Sequence, residues 1–228
     1  MSERRRVLRA PDPRLLHELI PEDVFLKITR QGFCFVVDDD GTISDSNPMY
    51  VDWLARKLKR PLTIADYTRY DFSNIDKRAL GMLIEGVFPK PHLHRHLPVI
   101  GGALAALQEI HSGLKLPVVI LTARPPSPGM VRATYDHKVE KKVPFDLMIF
   151  SRHKKEIVQA LRKTTDCRVI LVDDDPNTIA AVSSLKGVTA IVFDTLYNRR
   201  LRRKSASRGF SWDEVLKIVK HVVRNGRS

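Results

Sequence analysis

Cysteine is scarce in this chain of 228 residues, which has only Cys34 and Cys167. Each stands at the head of an apolar, strand-like run, so we expect two buried thiols rather than a disulfide, a usage typical of the reducing cytoplasm. Long hydrophobic runs are also lacking, since none approaches the roughly 18 residues that a membrane-spanning helix needs. The sequence therefore predicts a cytoplasmic protein that neither relies on disulfides nor spans a membrane.

Acidic residues are outnumbered: 26 Asp and Glu stand against 39 Lys and Arg, for a formal net charge of +13. The excess is concentrated at Arg4–Arg14 and at Tyr197–Arg208. A surface of this kind attracts polyanions in general. Nucleic acid therefore stays open as a partner of the basic N-terminus and of residues 199–208, beside the simpler interpretation of a basic, solvated face.

Short apolar runs rich in β-branched residues recur along the chain, and each ends in a polar cluster. Patterns typical of helices lie between several of them, and this alternation predicts βαβ units and a parallel sheet flanked by helices, an α/β fold. Ligands bind such sheets at the carboxyl ends of the strands, so the polar clusters should converge there. The strands are expected at Phe33–Val37, Val118–Leu121, Leu147–Phe150, Val169–Val172 and Ala190–Phe193, and the helices at Gly102–His111, Glu156–Lys163 and Thr178–Leu185.

One segment interrupts this alternation. Residues 46–98 carry patterns for two helices, Met49–Lys59 and Ile75–Glu85, and we interpret them as a helical insert that covers the strand ends as a lid. The α/β core then comprises residues 32–45 and 99–228, and it ends in an amphipathic helix over Trp212–Val223. Residues 1–31 form a basic N-terminal extension, with a helix expected through Arg14–Leu19.

The stretch "FVVDDDGTIS" places three carboxylates, Asp38, Asp39 and Asp40, at the end of a buried strand. Adjacent carboxylates repel and are costly to desolvate, so the stretch is either an exposed acidic turn or a site for a cation. Carboxylates are ligands for Mg²⁺, while a hydroxyl and an ammonium group can hold phosphate oxygens. The other strand ends supply these groups: Thr122, a lysine of the pair Lys154 and Lys155, Asp173 and Asp174.

Four of these segments together resemble the motifs of the haloacid dehalogenase superfamily of phosphohydrolases. "FVVDDDGT" is similar to the first motif, "VVILTARP" to the second, Lys154 to the third and "VILVDDDP" to the fourth, in the order of the family. The resemblance implies a Rossmann-like parallel sheet with a small helical cap inserted after the first strand. It also implies Mg²⁺-dependent hydrolysis of a phosphomonoester through an aspartyl-phosphate.

The same resemblance implies roles for individual residues. Asp38 would be the nucleophile and Asp40 the general acid and base, while Thr122 and Lys154 would hold the phosphate. Lys154 is preferred to Lys155 on register alone, and the Asp39 side chain should point away from the site. Mg²⁺ would be held by Asp38, Asp40 through its main-chain carbonyl, Asp173 and, directly or through a neighbour, Asp174. Residues expected to contact substrate are Gly41, Thr42, Ala123 and Arg124.

A narrower resemblance extends over most of the chain from Phe33 onward. The insert with its "YDF" at Tyr70–Phe72, the segment "PVIGGALAALQEI", and "FDTLYNRRL" followed by "GFSWDEVLKIV" are similar to the 5′(3′)-deoxyribonucleotidase family. This implies a nucleoside monophosphate as substrate, with Tyr70 and Phe72 as faces on which a base stacks. Packing within the insert is the alternative role for each aromatic residue, including Trp53, Tyr67 and Phe88.

Three other interpretations compete with this one. "LTARPP" also resembles the second motif of polynucleotide phosphatases, which would make a phosphate at a nucleic-acid end the substrate. A nucleic-acid-binding protein with a vestigial site is a non-enzymatic alternative, whereas a receiver domain is disfavoured because its acidic residues follow a different order.

In "PHLHRHLP", His92, His94 and His96 alternate in a way that could bind a transition metal, although an exposed loop is the expectation.

Overall fold

A computed structural model of the protein describes residues 6–226. Seven strands form one parallel sheet in the order β1-β4-β3-β2-β5-β6-β7. The predicted parallel α/β sheet flanked by helices is therefore confirmed. The strands are β1 (Val7–Arg9), β2 (Phe33–Val37), β3 (Val118–Thr122), β4 (Leu147–Phe150), β5 (Arg168–Asp173), β6 (Val188–Phe193) and β7 (Ala206–Gly209).

Ten α-helices are found within residues 6–226, and none of them is long and apolar enough to cross a membrane. They are α1 (Leu16–Leu19), α2 (Glu22–Gln31), α3 (Asn47–Leu58), α4 (Ala79–Gly86), α5 (Pro91–Arg95), α6 (Ala103–Gln108), α7 (Pro128–Glu140), α8 (Lys154–Thr165), α9 (Pro176–Val182) and α10 (Trp212–Gly226). A π-helical turn, Glu109–Gly113, continues α6.

Each central strand carries a continuous apolar run because both faces of the sheet are covered. In β2, Phe33, Phe35 and Val37 belong to one core with α6, α7 and α10. Cys34 and Val36 point the opposite way and belong to a second core with α1, α2, α8 and α9. Alternating side chains of one strand thus pack into two layers, which is the pattern of buried parallel strands.

The two edge strands were not predicted from the sequence. β1 pairs with β4 and β7 with β6, in each case through backbone hydrogen bonds to one neighbour. Their sequences, "VLR" and "ASRG", lack an apolar run because an edge strand is half exposed. Edge pairing is decided by the geometry of the neighbouring strand, which local sequence does not encode.

Residues 6–31 pack onto the α/β core. Leu16 of α1 and Val24 and Ile28 of α2 are buried in the same core as α8 and α9. Helix α2 was not predicted, although Glu22 and Asp23 in its first turn and Gly32 at its C-cap are ordinary helix signals. Arg4 and Arg5, part of the basic N-terminus noted above, lie outside the described residues.

The insert, residues 46–98 and called the cap below, leaves and re-enters the core at one place. Asp45 N donates to Pro98 O at 2.8 Å, and Ile100 N donates to Ile43 O at 2.8 Å. Helices α3 and α4 enclose an apolar core of their own, built around Tyr50, Leu54, Tyr67, Phe72 and Leu83. Helix α4 begins at Ala79, later than expected, because residues 69–78 form turns and bends. The loop expected for residues 91–96 contains helix α5.

Candidate active site

Three carboxylates meet at the carboxyl edge of the sheet. Asp38 follows β2, Asp173 ends β5, and Asp174 comes next in the chain. Because β2 and β5 are hydrogen-bonded neighbours, their carboxyl ends coincide, and carboxylate oxygens of the three residues lie within 4.8 Å of one another. All three side chains are buried.

Lys154 lies among these carboxylates. Lys154 is the first residue of α8. Its Nζ is 2.8 Å from Asp38 Oδ1 and 2.8 Å from Asp173 Oδ2. Lys154 is buried, whereas the side chain of Lys155 is exposed. Helix α8 thus directs one of the two lysines to the acidic edge and the other to solvent.

One ammonium group does not balance three buried carboxylates. Burial raises the pKa of Asp38 well above its usual value, against the opposing effect of Lys154. Burial and the neighbouring Asp173 raise the pKa of Asp174 to about 7. The unbalanced negative charge and the all-oxygen donor set fit a hard divalent cation such as Mg²⁺. The residues placed to hold it are Asp38, Asp173 and Asp174.

Asp40 is held by Arg124 in a bidentate ion pair. Nε of Arg124 donates to Asp40 Oδ2 at 2.8 Å, and Nη2 donates to Oδ1 at 2.7 Å. Burial acts to raise the pKa of Asp40, but Arg124 outweighs burial and holds it below its usual value. Arg124, expected to contact substrate, is therefore already engaged by a carboxylate while it lines the cavity.

Asp39, the middle carboxylate, is fully buried behind the site. It accepts hydrogen bonds from Lys138 Nζ and from Ser44 Oγ, the latter at 2.7 Å, and lies 3.0 Å from Arg124 Nη1. Burial acts to raise its pKa, yet Arg124 and Lys138 together lower it. Lys138 was not singled out from the sequence, because one lysine in a helix carries no sign that it is buried beside an acid.

A cavity of about 150 Å³ opens between the acidic edge and the cap. Tyr70 lines it and is 38% exposed, with its ring centroid 5.7 Å from that of Tyr197. Phe72 lines it too but is 3% exposed and stacks on Tyr67, with ring centroids 3.9 Å apart and an interplanar angle of 4°. Tyr70 is therefore more accessible than Phe72, one face of which is occupied within the cap. Other cavity-lining residues include Asp38, Asp40, Ala123, Arg124, Lys154 and Asp174.

Gly41, Thr42 and Thr122 are near the site without lining this cavity. Gly41 has φ of 74°, and a Cβ there would overlap the carboxylate of Asp174. Thr42 Oγ1 donates to Asp174 Oδ1 at 3.3 Å. Thr122 is buried, and its Oγ1 accepts a hydrogen bond from Arg124 N at 3.2 Å. In this geometry the two threonines support Asp174 and the loop after β3.

Tyr197 is a site residue that sequence reasoning missed. Its hydroxyl donates to Asp174 Oδ2 and accepts a hydrogen bond from Asn47 Nδ2 at 3.3 Å. Its ring packs against Tyr67 of the cap at a centroid distance of 4.4 Å. Tyr197 thus joins the acidic edge to the cap. It lies in "FDTLYNRRL", so the segment was recognised but the residue was not assigned a role.

The three alternating histidines do not form a metal site. His92 and His96 are exposed, while His94 is buried and lines the cavity. Helix α5 turns His94 away from His92, because side chains two residues apart point to different sides of a helix. In residues 6–226, the one group of three or more His, Cys, Asp or Glu side chains placed to share an ion is the acidic trio.

The chain is similar to known proteins in sequence and in fold. No family model matches the chain. It is 26% identical over 188 residues to a protein of Clostridium acetobutylicum named nucleotidase, an alignment that covers 80% of this chain and 91% of that protein. Its fold is similar to that of a Thermotoga maritima protein assigned as a β-phosphoglucomutase, with a TM-score of 0.53, 16% identity and coverage of 83% of this chain and 99% of the other.

A second solved structure also has a similar fold. A haloacid dehalogenase superfamily hydrolase of subfamily IA from Geobacter sulfurreducens has a TM-score of 0.52 at 13% identity, with coverage of 82% of this chain and 97% of the other. The chain therefore has the haloacid dehalogenase-type fold with an acidic site at the edge where strands end, and the fold implied by the four motifs is confirmed.

Proposed function

We propose that this protein is a Mg²⁺-dependent phosphomonoester hydrolase that forms an aspartyl-phosphate on Asp38 and acts on nucleoside monophosphates. The observation that carries the proposal is the position of Lys154, which contacts both Asp38 and Asp173 at the wall of the cavity. A carboxylate beside a buried ammonium group and a cation-binding acidic pair is suited to attack on phosphorus. Bound Mg²⁺ would neutralise charge on the transferring phosphoryl group.

In the first step, an oxygen of Asp38 forms a bond to phosphorus and the bond to the ester oxygen breaks. Lys154 stabilises charge on the phosphoryl oxygens, and Asp40 delivers a proton to the departing alcohol. Water then attacks phosphorus, Asp40 takes up its proton, and phosphate leaves with Asp38 restored. Since Arg124 favours the ionised form of Asp40, donation by Asp40 requires that substrate weaken this ion pair.

A nucleotide is favoured as substrate by two observations. The relative from Clostridium acetobutylicum is named nucleotidase, and it aligns with most of this chain. The cavity adds the half-exposed ring of Tyr70 above the acidic edge, and a base can stack on such a face. Free, buried Cys34 and Cys167 support a cytoplasmic location for this reaction.

The test is release of phosphate, with Mg²⁺ present, from deoxynucleoside monophosphates, ribonucleotides and sugar phosphates. We expect the nucleotides to give the highest kcat/KM. Asp38→Asn should lower kcat by about 1,000-fold or more while the far-ultraviolet circular dichroism spectrum stays unchanged. Turnover of Asp38→Asn close to that of the wild type would remove Asp38 as the nucleophile.

A second candidate substrate is a phosphate at the end of a nucleic acid. The exposed cations that follow Tyr197 favour it, because they begin beside the acidic edge: Arg199, Arg200, Arg202, Arg203 and Lys204. A 5′-phosphorylated oligonucleotide would then be hydrolysed faster than the mononucleotide, with strong dependence on salt. The variant Arg202→Glu with Arg203→Glu should reduce only the oligonucleotide rate. DNA binding without any phosphate release would instead indicate a vestigial site.

A further inference from the structure

His94 presents an unpaired polar atom to the cavity. The side chain is 1% exposed and lines the cavity, and its Nδ1 has no hydrogen-bond partner. Buried polar atoms are nearly always hydrogen-bonded, so an orphan at a ligand-sized cavity points to a partner that arrives with the ligand.

The position of His94 is fixed from the core side. Its neighbour Arg95 makes ion pairs with Asp136 at 2.6 Å and Glu140 at 2.5 Å, which tie α5 to α7. The other ring nitrogen, Nε2, lies 3.4 Å from Val87 O. A carbonyl only accepts, so Nε2 is assigned the hydrogen and Nδ1 of the neutral ring is left as an acceptor.

A second hydrogen-bond acceptor, the carboxylate of Asp40, lies near Nδ1 at the wall of the cavity. Asp40 Oδ1 lies 4.0 Å away and is itself bound by Arg124 Nη2. A hydroxyl group that enters beside Nδ1 can donate its one hydrogen to this nitrogen, while Asp40 remains bound by Arg124. Because Asp40 is the proposed proton donor to the ester oxygen, that hydroxyl would belong to the alcohol part of the substrate.

We propose that His94 Nδ1 accepts a hydrogen bond from a hydroxyl group on the alcohol part of the phosphomonoester, and that His94 thereby selects substrates with a hydroxyl close to the ester oxygen. This inference rests on the proposed phosphatase function and adds a specificity-determining residue to it. A sugar hydroxyl of a nucleoside monophosphate is a donor of this kind.

The test compares thymidine 5′-monophosphate with its 3′-deoxy analogue, which lacks the sugar hydroxyl. We expect the wild type to prefer the hydroxylated substrate by about 10-fold in kcat/KM. His94→Leu should abolish the preference by slowing only the hydroxylated substrate. His94→Asn should keep part of it, since the Asn amide can place an oxygen near the position of Nδ1. His92→Leu, an exposed site on the same helix, is the matched control and should behave as the wild type.

Two results would overturn the inference. One is a wild type that hydrolyses both substrates equally, and the other is a His94→Leu variant that slows both substrates alike and keeps the preference. Thermal melting confirms that each variant is folded. If nucleotides are not hydrolysed but other phosphomonoesters are, the nucleotide assignment fails, and glycerol 3-phosphate against propyl phosphate becomes the test pair, with the same outcomes. A folded wild type that hydrolyses no phosphomonoester at all overturns both the proposed function and this inference.

Discussion

Lys154 supplies the positive charge closest to the proposed nucleophile. Its ammonium group is shared between Asp38 and Asp173, and these carboxylates raise its pKa even though burial acts to lower it. The lysine is therefore charged throughout the physiological range. A fixed charge in a buried site stabilises developing negative charge without the reorganisation that water would require.

Exchange of Lys154 for an uncharged residue tests this role at the residue scale. Lys154→Met keeps the length of the side chain but removes the charge, and we expect kcat to fall by about 100-fold or more. Lys155→Met, one residue on and exposed, should leave kcat near the wild-type value. Steady-state phosphate release measures both. Equal losses in the two variants would show that general charge near α8, and not the contact of Lys154, supports the reaction.

His137 makes stability depend on pH. It is buried in α7 with Nε2 2.7 Å from Leu97 O, and burial together with Lys138 lowers its pKa to about 4. The unfolded chain, with a His pKa of about 6.5, binds about one more proton between these values. The free energy of unfolding should therefore rise as pH increases from about 4 to about 6.5, and this contribution is complete above that range.

His137→Gln keeps an amide donor for the carbonyl of Leu97 and cannot titrate. Urea unfolding at pH 5 and at pH 7 should show a smaller difference in the free energy of unfolding for this variant than for the wild type. Carboxylates titrate in both proteins, so the comparison isolates the histidine. An identical pH dependence in the two proteins would contradict the assignment.

The sequence identified the residues at the acidic edge because strand ends and motif order place them together. It could not show that Arg124 contacts both Asp39 and Asp40, or that Lys138 contacts Asp39, since these contacts form only on folding. Lys138, Tyr197 and the buried state of His94 were missed for the same physical reason. Each depends on packing between segments that are far apart in the chain.

At the scale of elements, the turn after β2 sets the distance between the first motif and β5. Gly41 adopts a left-handed backbone conformation, with Asp174 and Tyr197 against its α-carbon. Gly41 is thus required both for its positive φ and for the space it leaves. This turn brings the loop of the first motif against the acidic residues of the fourth.

Gly41→Ala should destabilise the protein by about 1–2 kcal/mol from backbone strain alone, with more from the clash at Asp174. Gly81→Ala is the matched control, because Gly81 lies in helix α4 with open space around its α-carbon. Alanine in place of a helical glycine should stabilise by about 0.5–1 kcal/mol. Denaturant unfolding of both variants measures the sign of each change in the free energy of unfolding. A neutral Gly41→Ala would show that the turn can rearrange.

Elements buried on both faces were predictable, and elements at the margins were not. The five central strands carry continuous apolar runs, since each lies between two helical layers. Strands β1 and β7 have one hydrogen-bonded neighbour each, and α5 is only five residues long. Such short segments hold their structure through contacts with the rest of the molecule, and a pattern in their own residues is too brief to reveal it.

At the scale of the whole molecule, the buried acidic edge contrasts with a net charge of +13. Exposed arginines and lysines raise the local concentration of anions, and under the proposed function a cation held by the recessed carboxylates would allow an anionic substrate to approach. Metal binding and stability should consequently be linked.

Addition of Mg²⁺ should raise the melting temperature relative to protein in EDTA. At about 100 times the dissociation constant the added stability is about 2.7 kcal/mol, which corresponds to several degrees for a protein of this size. Asp173→Asn should remove most of the shift. Asp175→Asn should preserve it, because Asp175 caps α9 and lies outside the acidic trio. A shift of equal size in all three proteins would place the ion elsewhere.

The backbone hydrogen bond between Asp45 and Pro98, where the chain leaves and re-enters the core, suggests that the cap can be exchanged as a unit. Because the chain leaves and returns through adjacent, hydrogen-bonded residues, the ends of the cap are already close enough for a short turn to join them. The sheet would keep all seven strands if the 53 residues 46–98 were exchanged for a turn or for the cap of another protein. Tyr197 would then lose its cap partners, so it marks where a transplanted cap must be matched to this core.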